Sequence, residues 1–415
     1  MATFPYYTEP THDRSTISNG LAGTGFRDTS VSDAEGRLIV DAVDKIFLLE
    51  PNKHPLVSLL TNVGKVWDGK AWTGQGLMKA PTGNPEFKWF EDVYGGKYAR
   101  VAVTAAAAVT SIDVAGAGSN SAYIFTIGDV IRNARTGENF LVTAITDGNT
   151  IAVTESYGAT AAAGVQAGDG LFIIGSVSAE NTGARNTNTT RSAAQSNYTQ
   201  IFKTSIAISG TEKAAKLYGG ADLPYQRAKK GTEHAMGIER AFWFGQKNSV
   251  STITRATGGI DEFITGGGSY VQNQGGPLTA PDMNSFLREG FTYGNSTKLL
   301  FAGGLVLQAI SEISRGQLLT KVGDSTYGVK ISEWQTPFGT VNIVHNPLFV
   351  EEFAGSAYLL DMESFRYRFM EGRDTQLQTN VQAPDVDGEI DQYITEAGLE
   401  RKQAARHSLL KGVTA

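Results

Sequence analysis

The chain has 415 residues, no cysteine and a formal net charge of −6 at pH 7, and this length allows two or three domains. The missing cysteines exclude disulfides, thiolate zinc sites and cysteine nucleophiles. The acidic balance argues against a surface that grips nucleic acid through many phosphate contacts, although enclosing nucleic acid remains compatible with it. No apolar run could span a bilayer and no secretion signal opens the chain, so we expect a cytosolic protein without a membrane partner.

The N-terminal segment begins with 32 polar, glycine-rich residues that have no periodic apolar pattern. Such a composition cannot bury enough apolar surface to fold alone, so we expect an arm that lies on a neighbouring subunit. Asp33 then precedes a predicted helix that Pro51 ends. Its apolar stripe is Leu38, Ala42, Ile46 and Leu49.

Residues 101–180 differ in composition from the rest of the chain. They contain no lysine and no tryptophan, and short β-branched runs alternate with glycine-containing turns, which predicts a small all-β barrel or sandwich. The flanking segments, Asn84–Asp92 and Tyr198–Ser209, are predicted strands that could pair if this module were looped out. Strands within the module are expected at Tyr123–Ile127, Asn139–Ile145, Thr150–Thr154 and Leu171–Ile174.

A long helix is predicted after the module. Asp222 is the expected N-cap, Pro224 fits the first turn, and Gly245 ends the pattern. The helix would be on the order of 35 Å long, and its small residues would let another backbone approach closely. Its predicted stripe is Ala228, Gly231, Ala235, Ile238 and Phe242.

The last third mixes helices and strands without repeated strand-helix-strand units, which favours an α+β fold over a doubly wound one. A hairpin turn is predicted at Thr336–Gly339. Helices are expected at Pro281–Glu289 and Leu305–Ser314, and strands at Lys298–Ala302, Gly328–Trp334 and Gly339–His345. This mixture of elements continues through Tyr358–Met362, Phe365–Met370 and Gln392–Leu399.

No motif for catalysis or cofactor binding emerges. The segment Gly64–Ala71 is nearest to a phosphate loop, but it lacks the hydroxyl after Lys70 that would hold magnesium. The histidines are scattered, and neither a zinc-protease motif nor a Gly-x-Ser-x-Gly elbow occurs. His345 could be catalytic, but a role at a strand end is favoured. We therefore predict a protein that is not an enzyme and has no cofactor.

Two charged clusters have open interpretations. Asp385, Asp387, Glu389 and Asp391 alternate as in calcium loops, but the glycine stands between the second and third carboxylates, unlike an EF-hand. A solvated or intersubunit acidic loop is favoured over a calcium site.

The second cluster consists of three arginines. It could touch nucleic acid, but pairing with acidic residues of a neighbour is favoured because the chain is acidic. Its members are Arg366, Arg368 and Arg373.

Several segments, taken in order, resemble the major capsid proteins of tailed bacteriophages, which have the HK-ninety-seven (Johnson) fold. The resemblance covers nearly the whole length, and no segment is diagnostic alone. The segments are Gly128–Asn133 with Thr136–Glu138, Thr257–Ile264, Ser311–Gly316, Thr340–Pro347, and Asp387–Ile390 with Glu396–Glu400. The resemblance implies an α+β subunit that self-assembles into the icosahedral head shell of a virion. That shell would enclose double-stranded DNA and assemble in the host bacterial cytoplasm.

The same resemblance implies a role for each part of the chain. Residues 1–64 would be the N-terminal arm and helix. The two sides of the E-loop would be residues 65–100 and 181–210, with the β module at 101–180 inserted between them. The P-domain with its spine helix would be 211–295, the A-domain 296–365, and the P-domain return and C-terminal tail 366–415.

The implied partners are many copies of the chain, as hexamers and pentamers, with portal and scaffolding proteins and, as an open possibility, decoration proteins. Because the sequence opens with Met1, a separate scaffolding protein is expected rather than a cleaved N-terminal segment. Intersubunit contacts are predicted at Phe4, Tyr6, Tyr7, Trp67, Trp72, Phe87, Trp89, Arg366, Arg368 and Arg373. Some relatives cross-link a lysine to an asparagine of a neighbour, but no such cross-link is expected here.

Two other structural roles remain open at this stage. An encapsulin-like compartment would share the fold but would house enzymes instead of DNA. A tail-tube or other virion protein would fit the β-rich module, but the long helix and the mixed last third disfavour it.

Overall fold

The computed structural model describes residues 54–61, 66–67, 72–73, 79–115, 121–186, 189–215, 222–249, 253–314, 321–322 and 331–414. The helix predicted between Asp33 and Pro51 lies outside these residues, as does the start of the strand predicted at Gly328. The helices are α1 Pro55–Thr61, α2 Gly210–Ala214, α3 Asp222–Phe244, α4 Ile260–Thr265, α5 Ala280–Gly290 and α6 Gly304–Ser314. Short 3₁₀ helices form at Ser121–Ile124, Glu351–Gly355, Met362–Ser364 and Ala404–Arg406.

The strands in the first half of the chain are β1 Val66–Trp67, β2 Trp72–Thr73, β3 Lys79–Thr82, β4 Glu86–Glu91, β5 Tyr98–Val101, β6 Ser111–Ala115, β7 Asp129–Asn133, β8 Asn139–Ile145, β9 Thr150–Thr154, β10 Gly170–Ser176, β11 Ala193–Tyr198 and β12 Gln200–Ser209. Those in the second half are β13 Asn248–Ser249, β14 Arg255–Ala256, β15 Tyr270–Pro277, β16 Thr297–Ala302, β17 Lys321–Val322, β18 Ile331–Thr336, β19 Gly339–His345, β20 Ala357–Leu360, β21 Phe365–Met370, β22 Gln376–Gln378, β23 Gly388–Arg401 and β24 Ser408–Thr414.

A seven-stranded mixed sheet organises the last third, in the order β15-β24-β20-β16-β19-β18-β17. The hairpin predicted at Thr336–Gly339 is confirmed, because these two residues pair at the turn between β18 and β19. The predicted helix at 281–289 is also confirmed as α5, which begins after a capping box formed by Thr279 and Asp282. Apolar side chains of α5, α6 and the sheet form one core, centred on Phe286, Leu300 and Leu359.

A five-stranded sheet has the order β12-β23-β21-β3, with β22 paired to β23. The helix α3 packs along this sheet and closes a second core around Trp243, Phe301 and Tyr358. Helices and strands thus intermingle in one α+β body, as predicted. The α3 helix spans 23 residues, as the pattern from Asp222 to Gly245 predicts.

A closed six-stranded barrel forms from β5 to β10, in the order β10-β5-β6-β9-β8-β7. Its interior is filled by a separate apolar core that includes Phe125, Phe140, Ile151 and Leu171. The predicted small β module is therefore a barrel. It begins at Tyr98, three residues before the predicted start, because the inward Ala99 and Val101 complete its wall.

Three strand predictions near the barrel need correction. Tyr123–Ile127 is not a strand, because the Thr126 N–H binds the Asp129 carboxylate at 2.7 Å and Gly128 adopts a φ of +88°, which turns the chain. The strands β6 and β7 have no counterpart among the predicted ones. The segment 198–209 also does not pair with 84–92 as one strand.

The ladder changes partner at Thr199. Residues 86–91 pair with β11, from Glu86 with Tyr198 to Glu91 with Ala193, whereas β12 pairs with β23. The buried hydroxyl of Thr199 lies 3.1 Å from the Glu396 carboxylate on β23, which fixes the chain at this crossing. The two-stranded β4–β11 unit, called here the ribbon, therefore connects the α+β body to the barrel.

Candidate assembly surfaces

The ribbon lies on the body of its own chain along one face. Phe87 and Trp89 point inward and are buried, as alternation along a strand requires. A Cβ at Gly398 on β23 would come within 2.8 Å of the Phe87 ring. Glycine at this position thus allows the direct approach of the ribbon to β23.

Asn197 fastens the root of the ribbon to the body. Its side-chain amide is buried and donates to the carbonyl of Leu399 at 2.7 Å and to that of Gly258 at 3.1 Å. Its Oδ1 accepts the Gly258 N–H at 2.9 Å. Buried polar groups are costly without partners, so these bonds make the position specific for asparagine.

Gln403 holds the far end of the ribbon. Its backbone adopts a left-handed conformation with φ of 54°. Its N–H donates to the Glu91 carboxylate at 2.9 Å and its side-chain amide donates to the Asp92 carbonyl, also at 2.9 Å. The indole N–H of Trp89 donates to the same Glu91 oxygen at 2.8 Å. Both ends of the ribbon are therefore attached to the body.

Beyond this attachment an apolar surface faces solvent where the ribbon meets the barrel. Phe90 is 74% exposed, Val93 is 65% exposed and Tyr94 is fully exposed. These three residues form the neck patch. A cleft of about 760 Å³ separates residues 92–97 from the barrel wall. The three residues lie within five positions of the chain, and grouped exposed apolar side chains mark an interaction surface more often than isolated ones do.

The intersubunit contacts predicted on this strand included Phe87 and Trp89 but omitted Phe90. The structure buries the two predicted rings against their own chain, and their contact with a neighbour stays a prediction. The alternation of side chains along a strand is the signal that identifies Phe90, because it places this ring on the opposite face from Phe87 and Trp89. Trp67 and Trp72 pair in register between β1 and β2, but their side chains lie outside the described part. Phe4, Tyr6 and Tyr7 are outside it altogether.

The helix α3 is fixed by polar groups that its small-residue pattern does not predict. The fully buried Glu239 carboxylate accepts the N–H groups of Leu56 at 2.9 Å and Val57 at 2.7 Å, and the Trp243 indole N–H at 3.1 Å. Burial raises the pKa of Glu239 to about 7, against these three hydrogen bonds. The helix is thereby joined to the first turn of α1.

A second polar link connects α3 to the five-stranded sheet. The buried His234 ring lies between the hydroxyls of Thr204 on β12, at 2.9 Å, and Thr395 on β23, at 2.8 Å. Burial lowers the pKa of His234. The predicted stripe is only partly buried. Ala228 is exposed, and Gly231 accommodates the Tyr393 phenol instead of another backbone.

The acidic cluster is not a solvated or intersubunit loop as a whole. Glu389 and Asp391 lie in β23 and are buried. Arg227 of α3 contacts Glu389 at 3.0 Å and Asp391 at 2.6 Å, and Lys213 contacts Glu389 at 2.6 Å. The cluster was misassigned because its cationic partners are distant in sequence.

The other two acidic residues, Asp385 and Asp387, are exposed in the loop before β23. Across the described ranges, no group of three or more histidine, aspartate or glutamate residues could hold a metal ion. Arg227 and Lys213 of the chain itself occupy the carboxylates of Glu389 and Asp391.

The arginine cluster also has partners within the chain. Arg368 forms an ion pair with Glu400, and Arg373 lies 2.7 Å from Glu396. Arg366 is exposed. The acidic partners assigned to a neighbour are thus supplied internally for two of the three arginines, because β21 lies beside β23 in the sheet. His345 is an exposed residue at the end of β19, as its strand-end interpretation predicts.

None of the described helices is long and apolar enough to cross a membrane. The polar groups detailed above join elements of one body, and the neck patch offers an apolar surface for contact. Together they define a structural subunit, a class of protein that acts by packing against other chains.

Comparison with known proteins assigns this subunit to a family. A model of the SU10 major capsid protein matches residues 18–414. The curated major capsid protein of Pseudomonas phage PaMx41 is 22% identical over 339 residues, which cover 74% of this chain and 80% of that protein. A solved structure from Microbacterium phage Oxtober96 has a TM-score of 0.49 and 10% identity, covering 93% of this chain and 99% of that one. A structure from Mycobacterium phage Bobi has a TM-score of 0.47 and 9% identity, covering 94% and 100%.

The chain belongs to the SU10 major capsid protein family, whose model spans nearly its whole length. It is a major capsid protein of a tailed phage with the HK-ninety-seven fold, and it forms the head shell of the virion. This membership decides against the encapsulin-like and tail-tube alternatives. It also confirms the prediction that the chain is a structural protein and not an enzyme.

Proposed function

We propose that the ribbon and the barrel together act as an elaborated E-loop of the capsid subunit. The main observation in support of this proposal is that the barrel has its own apolar core and is joined to the body through the ribbon. An E-loop is the element that reaches a neighbour, so the barrel would lie at subunit boundaries and strengthen the shell there. The exposed neck patch supports this placement.

The remaining parts follow the family arrangement in this proposal. The α3 helix would be the spine of the P-domain, the seven-stranded sheet would include the A-domain, and residues 1–64 would lie on a neighbour. Subunits would group into hexamers and pentamers, so that many modest contacts sum to a stable shell. Portal and scaffolding proteins would direct closure.

The shell would enclose double-stranded DNA without sequence-specific binding. A subunit with a net charge of −6 supports this, since an acidic lining would not hold DNA through phosphate contacts. The residues predicted for intersubunit contact remain part of the proposal, chiefly Arg366 and the aromatic residues of the N-terminal segment.

Electron microscopy of the expressed chain with its scaffolding partner tests this proposal. We expect closed polyhedral shells whose subunit boundaries carry the barrel density. Barrel density at the centre of each subunit, away from its neighbours, would contradict the E-loop assignment. Difference maps against a variant that lacks residues 98–176 would locate the barrel directly.

A further inference from the structure

We propose that the neck patch of one subunit inserts into an apolar cleft at the C-terminal end of α3 in a second copy of the chain. The inference rests on the proposed function, because it names two surfaces through which capsid subunits would meet. It assigns the patch Phe90, Val93 and Tyr94 a specific receiving site on the same protein.

The donor surface combines apolar side chains with flanking charges. Tyr94 is the most exposed large hydrophobic side chain of the described residues. Asp92 and Lys97 stand on either side of it in the chain, and both are exposed. Glu91 is already engaged by Trp89 and Gln403. The surface available to a partner is therefore an aromatic centre with exposed charges beside it, among them Asp92 and Lys97.

The receiving surface, called the acceptor cleft, has a volume of about 360 Å³. Its apolar lining is Phe244, Leu348, Val350 and Phe353. The rings of Phe244 and Phe353 lie 4.4 Å apart, and Val350 is 59% exposed. Entry of an aromatic side chain would remove the apolar surface of this open cleft from water, and that burial is favourable.

Charged residues at the rim of the acceptor cleft complement those of the donor. The cleft is bordered by Glu351 and Glu352 and by Arg240. The acidic pair would face Lys97, and Arg240 would face Asp92. Opposite charges arranged in this way give an interface its register and orientation. Glu351 also holds a left-handed backbone with φ of +51°, a conformation that few non-glycine residues adopt.

The two surfaces lie at opposite ends of β24 within one subunit. Gln403, which binds the ribbon, lies five residues before the first residue of β24. Gly355, which ends the 3₁₀ helix beside the acceptor cleft, packs on Val413 near the last residue of β24. Seven residues of strand separate these ends by on the order of 20 Å. Different surfaces that complement each other between copies form head-to-tail contacts, which give rings where the rotation between copies closes.

Cysteine cross-linking tests this contact cleanly because the chain contains no cysteine. The variant Tyr94→Cys with Val350→Cys is assembled into particles and treated with a short bis-maleimide. We expect a ladder of covalent oligomers on a denaturing gel. An equimolar mixture of the two single variants should give covalent dimers. The matched control, Tyr293→Cys with Val350→Cys, places the first thiol on an exposed tyrosine elsewhere and should give no ladder.

Charge reversal provides a second arm that depends on the same contact. Lys97→Glu should slow assembly about tenfold, and Glu351→Lys with Glu352→Lys should do the same. All three substitutions together should restore the rate to within about threefold of wild type. Lys411→Glu, on an exposed position of β24, is the control for charge alone.

Several outcomes would overturn the pairing. These are a fast-migrating cross-link within one subunit, a ladder no stronger than that of the Tyr293→Cys control, or a combined charge variant no better than its parents. Barrel density at the centre of each subunit, away from its neighbours, would count against the proposed E-loop function itself. Particles that form without the ladder would leave that function intact and would reject only this contact.

Discussion

The Oε2 atom of Glu239 accepts the backbone N–H of Val57 at 2.7 Å, across 182 positions of sequence. The other carboxylate oxygen accepts the N–H of Leu56 and the indole of Trp243. A buried acid on α3 thus fixes the place where α1 joins the body. The three N–H donors satisfy the carboxylate, and no ion pair joins it to another residue in the described part of the chain.

This arrangement predicts a pH dependence carried by Glu239. Its folded pKa of about 7 lies above the ordinary value of 4.5, so the folded state binds the proton more tightly. The stabilisation is complete below pH 4.5 and is lost as pH rises through 7. Its slope would approach 1.4 kcal/mol per pH unit within that window, as an order of magnitude.

The comparison of wild type with Glu239→Gln measures this effect. The variant should be less stable at every pH, because an amide N–H would face a backbone donor, but the difference should shrink as pH rises from 5 to 7.5. Urea unfolding of the subunit at a series of pH values gives the difference directly. A constant difference across the series would contradict the prediction.

The opposite dependence is expected from His407. Its Nδ1 accepts the N–H of Asp361 at 3.2 Å and its Nε2 donates to the carbonyl of Lys402 at 3.2 Å, which requires the neutral ring. Burial first, and then the charges of Lys298 and Arg406, lower its pKa to about 3. Below pH 6.5 the His407 ring binds a proton in the unfolded state but stays neutral in the folded state, so the free energy of unfolding falls toward pH 3.

Thermal unfolding between pH 4 and 7 tests this prediction. Glutamine can accept and donate in the same two directions without titrating, so His407→Gln should remove part of the acid destabilisation. An exposed histidine, His345→Gln, is the matched control and should leave the acid limb unchanged. Equal acid limbs for wild type and His407→Gln would reject the assignment.

Removal of the Asn197 side chain should detach the ribbon locally. Asn197→Ala leaves the Leu399 and Gly258 groups without their partners, which should cost about 2–4 kcal/mol. Proteolysis should then begin near residues 84–92 and 178–200 earlier than in wild type. The control Asn84→Ala changes an exposed asparagine just before the first strand of the ribbon and should cost under about 0.5 kcal/mol. Cleavage elsewhere first would argue against the ribbon as the weakened element.

Arg227 should be essential to the stability of the subunit around the acidic residues Glu389 and Asp391. Arg227→Met leaves the buried Asp391 without its closest cation and should destabilise the subunit by about 3–5 kcal/mol. Lys230→Met alters a half-buried i,i+3 pair on the same helix and should cost less than about 1 kcal/mol. Because cations of the chain occupy Glu389 and Asp391, we expect EDTA and calcium to leave the melting temperature of wild type unchanged. A melting temperature raised by calcium would reinstate a metal site.

The barrel should fold as a separate unit. Residues 98–176 enclose their own core, so this fragment expressed alone should give a cooperative melt, and Leu171→Ala should destabilise it by about 2–5 kcal/mol. Replacing these residues with a short glycine linker should leave a folded body whose particles melt at a lower temperature. Unchanged particle melting would show that the barrel does not strengthen the shell.

Local patterns in the sequence carry much of this fold. Asp222 and Gly245 bound α3, Thr336 and Gly339 mark the hairpin, and the lysine-free segment encodes a module that closes on its own core. These features succeed because caps, turns and alternation depend on neighbours within a few residues. The order of family-like segments also indicates a phage capsid protein.

Only the tertiary structure decides which charged and aromatic residues are available to a partner. Glu389 and Asp391 resemble a calcium loop until Arg227, more than 160 residues away, is placed against them. The same holds for Phe87 and Phe90, which differ by three positions but face opposite sides of the ribbon. Burial and ion pairing depend on elements distant in the chain. For that reason the sequence alone determined the class of subunit, whereas its contact surfaces emerged only once the strands were paired.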